Sequence, residues 1–165
     1  MEVTKVFYRY YRPLAMRSTN EIFTKRDGGI CLRFEQLPEG DLFFTAAICH
    51  PEDTFSKVVS KKITDSRAAH MKRNAHLLQL CRGIEWTQNS FDLASAVQSV
   101  CTQSSFNAQV DLPSTIYHRW HLKQVGEALT QLMRENIQLT LVSEALMTAH
   151  LKAAEPYYRE KACGT

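Results

Sequence analysis

The stretch ICLRFEQLPEGDLFFTAAIC, residues 30–49, predicts two β-strands joined by a tight turn. From Ile30 to Leu37 the apolar and polar side chains alternate, which is the period of a strand with one buried face. Pro38-Glu39-Gly40-Asp41 is a turn sequence, and the run that begins at Leu42 is apolar on both faces. We therefore expect the second run to be a central strand that is covered on both sides.

Strand-type sequence also precedes this pair. Residues 3–11 are rich in Val, Phe and Tyr, and residues 21–24 form a short run of the same type. Asp27-Gly28-Gly29 follows, and glycine tolerates the positive φ that a hairpin turn requires. The sequence therefore predicts a small antiparallel sheet of three to four strands, with Asp27-Gly28-Gly29 as the turn into the strand that begins at Ile30.

After Pro51 the spacing of apolar residues changes from two to nearly four, which predicts helices. Asp53 or Thr54 is expected to cap the first of them. Three further amphipathic helices are predicted within residues 90–155, before Pro156. Their start signals are Ser90, Pro113-Ser114 and Thr140.

The first helical segment carries an apolar stripe that changes side. Its leading apolar residues share one face and are Phe55, Val58, Val59 and Ile63. Because Ala68 and Met71 would fall on the opposite side of an unbroken helix, we expect a kink between Ile63 and Ala68. A residue within 64–66 would then cap a second helix, which is predicted to end at Gly83.

Length and composition indicate one α+β domain over residues 1–165. A chain of this length that is 44% hydrophobic supplies one core and too little for two. We expect a sheet within residues 1–50, a basic helical segment within 53–83 and C-terminal helices within 90–155. In this arrangement four to five helices follow the sheet and pack on it.

Cysteine usage and hydropathy indicate a cytoplasmic protein. No window approaches the roughly 18 consecutive apolar residues of a membrane span, and the N-terminus lacks the apolar core of a signal peptide. The sequence thus predicts no membrane partner. The five cysteines lie far apart without a CxxC pair, which favours reduced, buried thiols. They are Cys31, Cys49, Cys81, Cys101 and Cys163.

Positive charge is concentrated in the basic helical segment. Between Phe55 and Arg82 seven cations accompany a single acid, Asp65, although the whole chain carries a net charge of only +3. A concentrated cationic surface favours a negatively charged partner. The predicted partner-binding residues are Lys57, Lys61, Lys62, Arg67, Lys72 and Arg73.

Three interpretations of these cations remain open. They form a solvated helix surface, they dock onto an acidic protein, or they contact the phosphates of a nucleic acid. For the last, Lys57, Lys61 and Lys72 would form a phosphate-contacting stripe, but no helix-turn-helix, zinc-finger or RNA-binding signature accompanies them.

The sequence indicates no cofactor, metal or catalytic motif. Cys49-His50 resembles a nucleophile and base, yet adjacent strand residues point to opposite faces. His118 and His121 have the spacing of helical metal ligands but lack a regularly spaced third ligand. The aromatic run in residues 7–11 is either strand packing or an exposed stacking surface. An enzyme whose residues meet only in three dimensions stays an alternative.

Three short pieces around the strand-to-helix passage form a further pattern. They are Asp27-Gly28-Gly29-Ile30, the segment FTAAICHPEDTFSK at residues 44–57, and Lys61-Lys62-Ile63. The pattern is similar to one in small, largely uncharacterised bacteriophage proteins. In those a glycine turn leads to an apolar strand, a His/Pro/Asp turn and a helix that opens Phe-Ser-Lys, followed by Gly-Arg where this chain has Ser60-Lys61.

This resemblance implies a phage or mobile-element accessory protein that acts in a bacterial cytoplasm. Together with the concentrated charge it predicts a non-enzymatic protein that binds and modulates or inhibits a host macromolecule, such as a defence or transcription component. The predicted partner is an acidic host protein surface. A nucleic-acid-binding accessory protein is the alternative, and a homo-oligomer is left open.

Overall fold

The computed structural model describes residues 5–17, 21–107 and 113–163, with side chains except at 76, 104–107, 113–120 and 162–163. Their fold is α+β, with an antiparallel sheet followed by helices that pack on it, as the sequence predicts. In chain order the described elements are β1 (Val6–Tyr11), β2 (Leu14–Met16), β3 (Ile22–Thr24), β4 (Asp27–Gln36), β5 (Leu42–Thr54), α1 (Lys57–Lys72), α2 (Ala75–Leu80), β6 (Arg82–Ile84), α3 (Ser90–Asn107) and α4 (Pro113–Cys163).

The main sheet has the strand order β1-β4-β5-β6, and its strand pairs are antiparallel. Strand β5 lies between β4 and β6 and is buried on both faces over its first half, so the prediction of a central strand is confirmed. The predicted turn is also present, since the amide of Gly40 donates to the carbonyl of Leu37 and φ of Gly40 is 101°.

The main core lies between one face of this sheet and the C-terminal helices. From the sheet it contains Ile30, Leu32, Phe34, Leu42, Phe44 and Ala46, and from α3 and α4 it contains Leu93, Val97, Cys101, Leu122, Val125 and Leu129. A smaller cluster on the other face of the sheet contains Cys31, Ala47 and Phe55. This second face is the one that α1 covers.

The prediction that Asp27-Gly28-Gly29 is a hairpin turn is wrong. These residues belong to β4, whose register with β5 shifts between Asp27 and Gly29, and β3 pairs with β2 in a separate two-stranded sheet. The positive φ of Gly29, 140°, serves a close approach instead, because an added Cβ would lie 2.9 Å from the ring of Phe55.

The first helix begins later than predicted. Strand β5 continues through Pro51 to Thr54, opposite the register shift in β4, where a missing ladder hydrogen bond is tolerated. Ser56 then caps α1, since its Oγ accepts a hydrogen bond from the amide of Val59 at 3.3 Å. The predicted caps Asp53 and Thr54 are therefore strand residues.

Helix α1 is continuous, and over its first half the side that it buries is the reverse of the predicted one. Its buried residues are Ser60, Thr64, Ala68 and Met71. Val58, Val59 and Ile63, which the sequence predicts to be buried, are exposed. The predicted kink between Ile63 and Ala68 is therefore absent, because one side of an unbroken helix holds every buried position.

The segment after α1 also differs from the prediction. Asn74 Oδ1 accepts a hydrogen bond from the amide of Leu77 at 3.4 Å and begins the short helix α2. Gly83 has a φ of 101°, as expected of a residue suited to the left-handed conformation, but it lies in β6 and does not end a helix.

The two helices predicted after Pro113 are one helix, α4, of 51 residues. It passes through Thr140, whose hydroxyl donates to the carbonyl of Asn136 at 2.9 Å and so bonds within the helix without capping a new one. Pro156 also lies inside it. Among the described residues, no helix combines the length and the apolar character of a transmembrane span.

Candidate docking surface

The two sides of α1 differ in what they contact. Toward the sheet, the hydroxyl of Thr45 on β5 donates to the carbonyl of Thr64 at 2.9 Å, and the hydroxyl of Thr64 donates to the carbonyl of Ser60 at 3.0 Å. Small side chains allow this close approach. The hydroxyl groups among them form hydrogen bonds within the buried contact. The orientation of α1 then decides where each predicted cation lies.

Arg67 lies at the edge of β5 beyond the end of β6. Its Nη1 donates to the carbonyl of Ala46 and lies 3.1 Å from Nε2 of His121 on α4. Burial and the charge of Arg67 lower the pKa of His121. Arg67 therefore joins α1 to β5 and α4, and its guanidinium is directed into the protein.

Lys72 closes a charged network beneath α1. Its Nζ lies 2.5 Å from Oε1 of Glu35, a residue only 2% exposed, and Oε2 of Glu35 accepts from Nη1 of Arg33 at 2.9 Å. Nε of Arg33 donates to Asp65 on α1 at 2.9 Å, and the hydroxyl of Tyr8 donates to the same carboxylate. Burial is the largest influence and lowers the pKa of Arg33, but the hydrogen bonds to Glu35, Tyr8 and Asp65 and the charge of Glu35 together outweigh it, so the pKa of the guanidinium is raised.

Lys57 and Lys61 extend from α1 over the aromatic side chains of β1. The ammonium of Lys57 lies 4.9 Å from the ring centroid of Tyr10, and that of Lys61 lies 5.0 Å from the ring centroid of Tyr8. Cation–π attraction at such distances contributes about 0.5–1 kcal/mol at exposed sites. Both lysines remain exposed and lie on the side of the helix that is directed toward β1.

The outward side of α1 combines apolar side chains with cations. We call it the α1 outward face, and it consists of Val58, Val59, Lys62, Ile63 and Arg73. The structure thus places the six predicted cations in three groups. Lys62 and Arg73 lie on the α1 outward face, Lys57 and Lys61 lie over the aromatic side chains of β1, and Arg67 and Lys72 contact the body of the protein.

The apolar members of this face are the residues that sequence reasoning missed. Large apolar side chains at helical spacing predict a buried stripe, so Val58, Val59 and Ile63 were assigned to the core. A second row of mostly small residues, spaced four or three positions apart, was the feature of the sequence that indicates the buried side of the helix. That row is Ser60, Thr64, Ala68 and Met71.

The described side chains of the other candidate sites form hydrogen bonds within the protein. Sγ of Cys49 donates to the carbonyl of Asp53 at 3.4 Å, and Nδ1 of His50 accepts from the amide of Glu52 at 3.2 Å, so the two side chains bond to nearby backbone. His121 contacts Arg67, while the side chain of His118 lies outside the described residues. Within the described part of the chain, no three His, Cys, Asp or Glu side chains are grouped to hold a metal ion.

The buried thiols and the aromatic run of β1 serve packing. Burial raises the pKa of Cys31 to about 11 and that of Cys101 to about 12, so these thiols stay protonated near neutral pH. In β1, alternate aromatic side chains divide between the two faces of the sheet. Phe7 and Tyr11 pack against the main core, and Tyr8 and Tyr10 pack against the smaller cluster.

No protein-family model, curated protein or solved structure matches this chain. Its function must therefore follow from the chemistry of its own surfaces. The α1 outward face is the surface on which exposed apolar groups and cations are brought together in the segment where the sequence concentrates positive charge.

Proposed function

We propose that this chain is a non-enzymatic binding protein that docks onto an acidic surface of another protein through the α1 outward face. The observation that carries the proposal is the exposure of Val58 and Val59, which are 65% and 54% exposed on a helix whose other side is anchored to the sheet. Exposed apolar side chains that adjoin one another favour an interaction site. Since the anchored side already supplies the packing of α1, these side chains are available to a partner.

The cations beside the apolar side chains indicate the chemistry of the partner. Lys62 and Arg73 lie on the face itself, and the exposed Lys57 and Lys61 add positive charge on the side of α1 toward β1. A protein interface commonly has an apolar centre and a polar rim, and rim charges set the rate and orientation of encounter. The partner is therefore a protein surface with an apolar patch surrounded by carboxylates.

A nucleic acid fits this surface less well. Interfaces with DNA or RNA are more polar and more strongly charged than interfaces between proteins, and phosphate contacts supply most of their affinity. On α1 three large apolar side chains, Val58, Val59 and Ile63, share the outward face with cations. Arg67 and Lys72 are engaged with Ala46 and Glu35. The pattern shared with small phage proteins supports a host protein in a bacterial cytoplasm, which the chain binds and modulates or inhibits.

The test is an affinity capture from bacterial lysate with the full chain and two variants of the α1 outward face. Val59→Glu/Ile63→Glu removes the apolar centre, and Lys62→Glu/Arg73→Glu reverses the rim charge. Lys123→Glu/Arg134→Glu is the matched control, because both residues are exposed and lie on α4, which packs on the other face of the sheet from α1. Circular dichroism establishes that each variant is folded.

We expect one protein that the native chain and the control capture and that both face variants lose. The captured protein is then purified, and its affinity for the chain is measured at several salt concentrations, where a moderate loss at high salt is expected from rim charges. Equal capture by all four proteins contradicts the proposal. A nucleic acid retained by the native chain, with a steep loss on adding salt, replaces it with the nucleic-acid alternative.

A further inference from the structure

Strand β1 is the first strand in the order of the main sheet and pairs with β4 on one side. The amide of Gln36 on β4 donates to the carbonyl of Lys5 at 2.9 Å, which fixes the phase of this pairing. Because hydrogen-bonded residues alternate along an antiparallel pair, every second residue from Lys5 onward bonds β4. The amides and carbonyls of Val6, Tyr8 and Tyr10 are therefore directed away from β4, and we call this row the β1 edge.

The β1 edge has no neighbouring strand within residues 5–17, 21–107 and 113–163. No backbone group of these residues bonds its amides or carbonyls, and the carbonyl of Tyr8 accepts a hydrogen bond from Nη1 of Arg9 at 3.0 Å. Val6, at the beginning of the row, is 39% exposed. A strand edge with unpaired backbone groups is a template on which another extended chain can pair.

On the α1 side of the sheet, two cations lie beside the β1 edge. Lys57 and Lys61 are exposed, and their ammonium groups lie over the tyrosine rings of β1. The carboxylate of Asp65 is close by, but it accepts hydrogen bonds from Arg33 and from the hydroxyl of Tyr8. The two lysines therefore leave positive charge beside the edge on this side.

On the opposite side of the sheet, two further cations lie beside the same edge, together with an aromatic ring. Nζ of Lys5 lies 4.4 Å from the ring centroid of Trp86, and Cζ of Arg9 lies 4.9 Å from the ring centroid of Phe7. Trp86 packs edge-on against Phe7, with ring centroids 4.8 Å apart, and is 41% exposed. This side therefore offers apolar surface as well as positive charge.

We infer that the β1 edge binds an extended, acidic segment of a partner protein as an added strand. The main chain of the segment would bond the outward groups of β1, and its side chains would alternate between the two sides of the sheet. Carboxylates would then lie beside Lys57 and Lys61, and apolar side chains beside Trp86. In this mode of recognition main-chain hydrogen bonds supply affinity and alternate side chains supply specificity. The inference goes beyond the proposed docking of the α1 outward face and does not rest on it.

The charge beside the β1 edge favours an acidic segment over a second copy of this chain. Two β1 strands paired edge to edge across a two-fold axis would bring the same side of both sheets together. Lys57 and Lys61 of the two copies would then meet on one side of the junction, and Lys5 and Arg9 on the other. Like charges brought together at an interface cost free energy, whereas carboxylates of an acidic segment complement these cations.

The test is the binding of a fluorescein-labelled peptide in which glutamate and valine alternate, measured by fluorescence anisotropy with the full chain. We expect saturable binding, and none of a peptide in which lysine and valine alternate. A third peptide has the glutamate and valine side chains on N-methylated amides. We expect it to bind at least about tenfold more weakly, because it lacks the main-chain donors of an added strand.

Variants of the chain locate the peptide on the β1 edge. Lys57→Glu/Lys61→Glu reverses the charge on the α1 side, and we expect it to weaken binding by at least about tenfold. Val6→Pro removes an outward amide at the first residue of β1, a position where proline is tolerated, and we expect it to weaken binding as well. The matched control is Lys123→Glu/Arg134→Glu on α4, which we expect to bind as the native chain does. Circular dichroism establishes that each variant is folded.

Val59→Glu/Ile63→Glu separates this inference from the proposed function. We expect this variant to bind the peptide as the native chain does, and its failure to do so would place the peptide on the α1 outward face and overturn the inference. A native chain that does not bind the glutamate–valine peptide, or that binds the N-methylated peptide equally well, also overturns it.

Two other occupants of the β1 edge would give different results. A native chain that sediments as a dimer, and that Val6→Pro makes monomeric, would assign the edge to a second copy and overturn the inference. An oligothymidylate that binds more tightly than the peptide, and that Lys57→Glu/Lys61→Glu releases, would assign the cations to a nucleic acid and overturn it too.

Discussion

Glu35 is held beneath α1 with both carboxylate oxygens engaged, one by Arg33 and the other by Lys72. Arg33 is itself buried and reaches Asp65 on the helix. Removing one member of a buried ion pair leaves the other charge without compensation, which costs more free energy than the intact pair contributes. The network therefore links α1 to the sheet through a buried carboxylate, in addition to the contacts of Thr64 and Arg67.

We predict that Glu35→Ala lowers the free energy of unfolding by about 3–5 kcal/mol, because Nη1 of Arg33 would stay buried without its carboxylate while only Nε keeps its bond to Asp65. Urea denaturation followed by circular dichroism measures the change. Glu39→Ala is the control, since Glu39 pairs with Arg82 at 3.1 Å but is 64% exposed, and such surface pairs contribute about 0–1 kcal/mol. Equal effects of the two substitutions would show that the network under α1 is not formed.

His121 makes the stability of the protein depend on pH. Burial and the charge of Arg67 lower its pKa below the ordinary value of 6.5, which it regains on unfolding. Between these two pKa values the unfolded chain binds a proton that the native protein does not, so the free energy of unfolding falls as the pH falls through that interval. This contribution is fully present above the ordinary pKa and is lost on acidification.

We predict that His121→Gln makes the free energy of unfolding less dependent on pH between about pH 7.5 and pH 5.5, because the titrating group at the Arg67 contact is removed. Urea midpoints of the native chain and the variant at both pH values measure this difference. Identical pH dependence in the two proteins would mean that His121 keeps its ordinary pKa in the native state.

Helix α1 shows why an apolar stripe does not always identify the buried side of a helix. The sheet surface beneath it contains Thr45 and Ala47 beside the charged pair of Arg33 and Glu35. Such a surface is matched by small and hydroxyl-bearing side chains rather than by large apolar ones. As a result Val58, Val59 and Ile63 stay exposed. These exposed side chains make the outer side of the helix available for binding.

We predict that Ala68→Leu lowers the free energy of unfolding by about 1–3 kcal/mol, because its extra methyl groups would enter a packed contact between α1 and the sheet. The control is the same change at the next residue, Ala69→Leu, which is exposed and should alter stability by no more than about 0.5 kcal/mol. Urea denaturation of both variants measures the difference. A larger effect at Ala69 would contradict the orientation of α1.

The strands were predictable where the local signals agree. Alternation in β4, the turn at Gly40 and the doubly apolar start of β5 all depend on neighbouring residues, and all were predicted. The glycines at 28 and 29 were recognised as tolerant of positive φ, but whether they form a hairpin or a register shift depends on the approach of Phe55, which is distant in sequence. The residues around the glycines do not predict that contact.

The helices were predictable in type and not in extent or orientation. Thr140 has the composition of a cap, and only its hydrogen bond to Asn136 shows that α4 continues through it. For the docking surface, the segment with concentrated charge was recognised, and Lys62 and Arg73 are on its outward face. Which cations turn inward depended on Glu35 and on the carbonyl of Ala46, which belong to the other half of the fold.

The α1 outward face and helix α4 belong to opposite sides of the main sheet. Helix α1 covers the face that contains Arg33 and Thr45, and α4 packs on the face that contains Leu32 and Phe34. A partner that docks on the α1 outward face is therefore separated from the main core by the whole sheet.

The orientation of α1 is tested most directly by the reactivity of single cysteines placed on its two sides, Val59→Cys and Ala68→Cys. The background is Cys49→Ser/Cys163→Ser, since Cys49 is partly exposed and the side chain of Cys163 lies outside the described residues, whereas Cys31, Cys81 and Cys101 are buried. We predict that a maleimide labels Val59→Cys about as fast as the unfolded chain and Ala68→Cys only as fast as the protein unfolds. Rapid labelling of Ala68→Cys with protection of Val59→Cys would contradict the proposed docking surface.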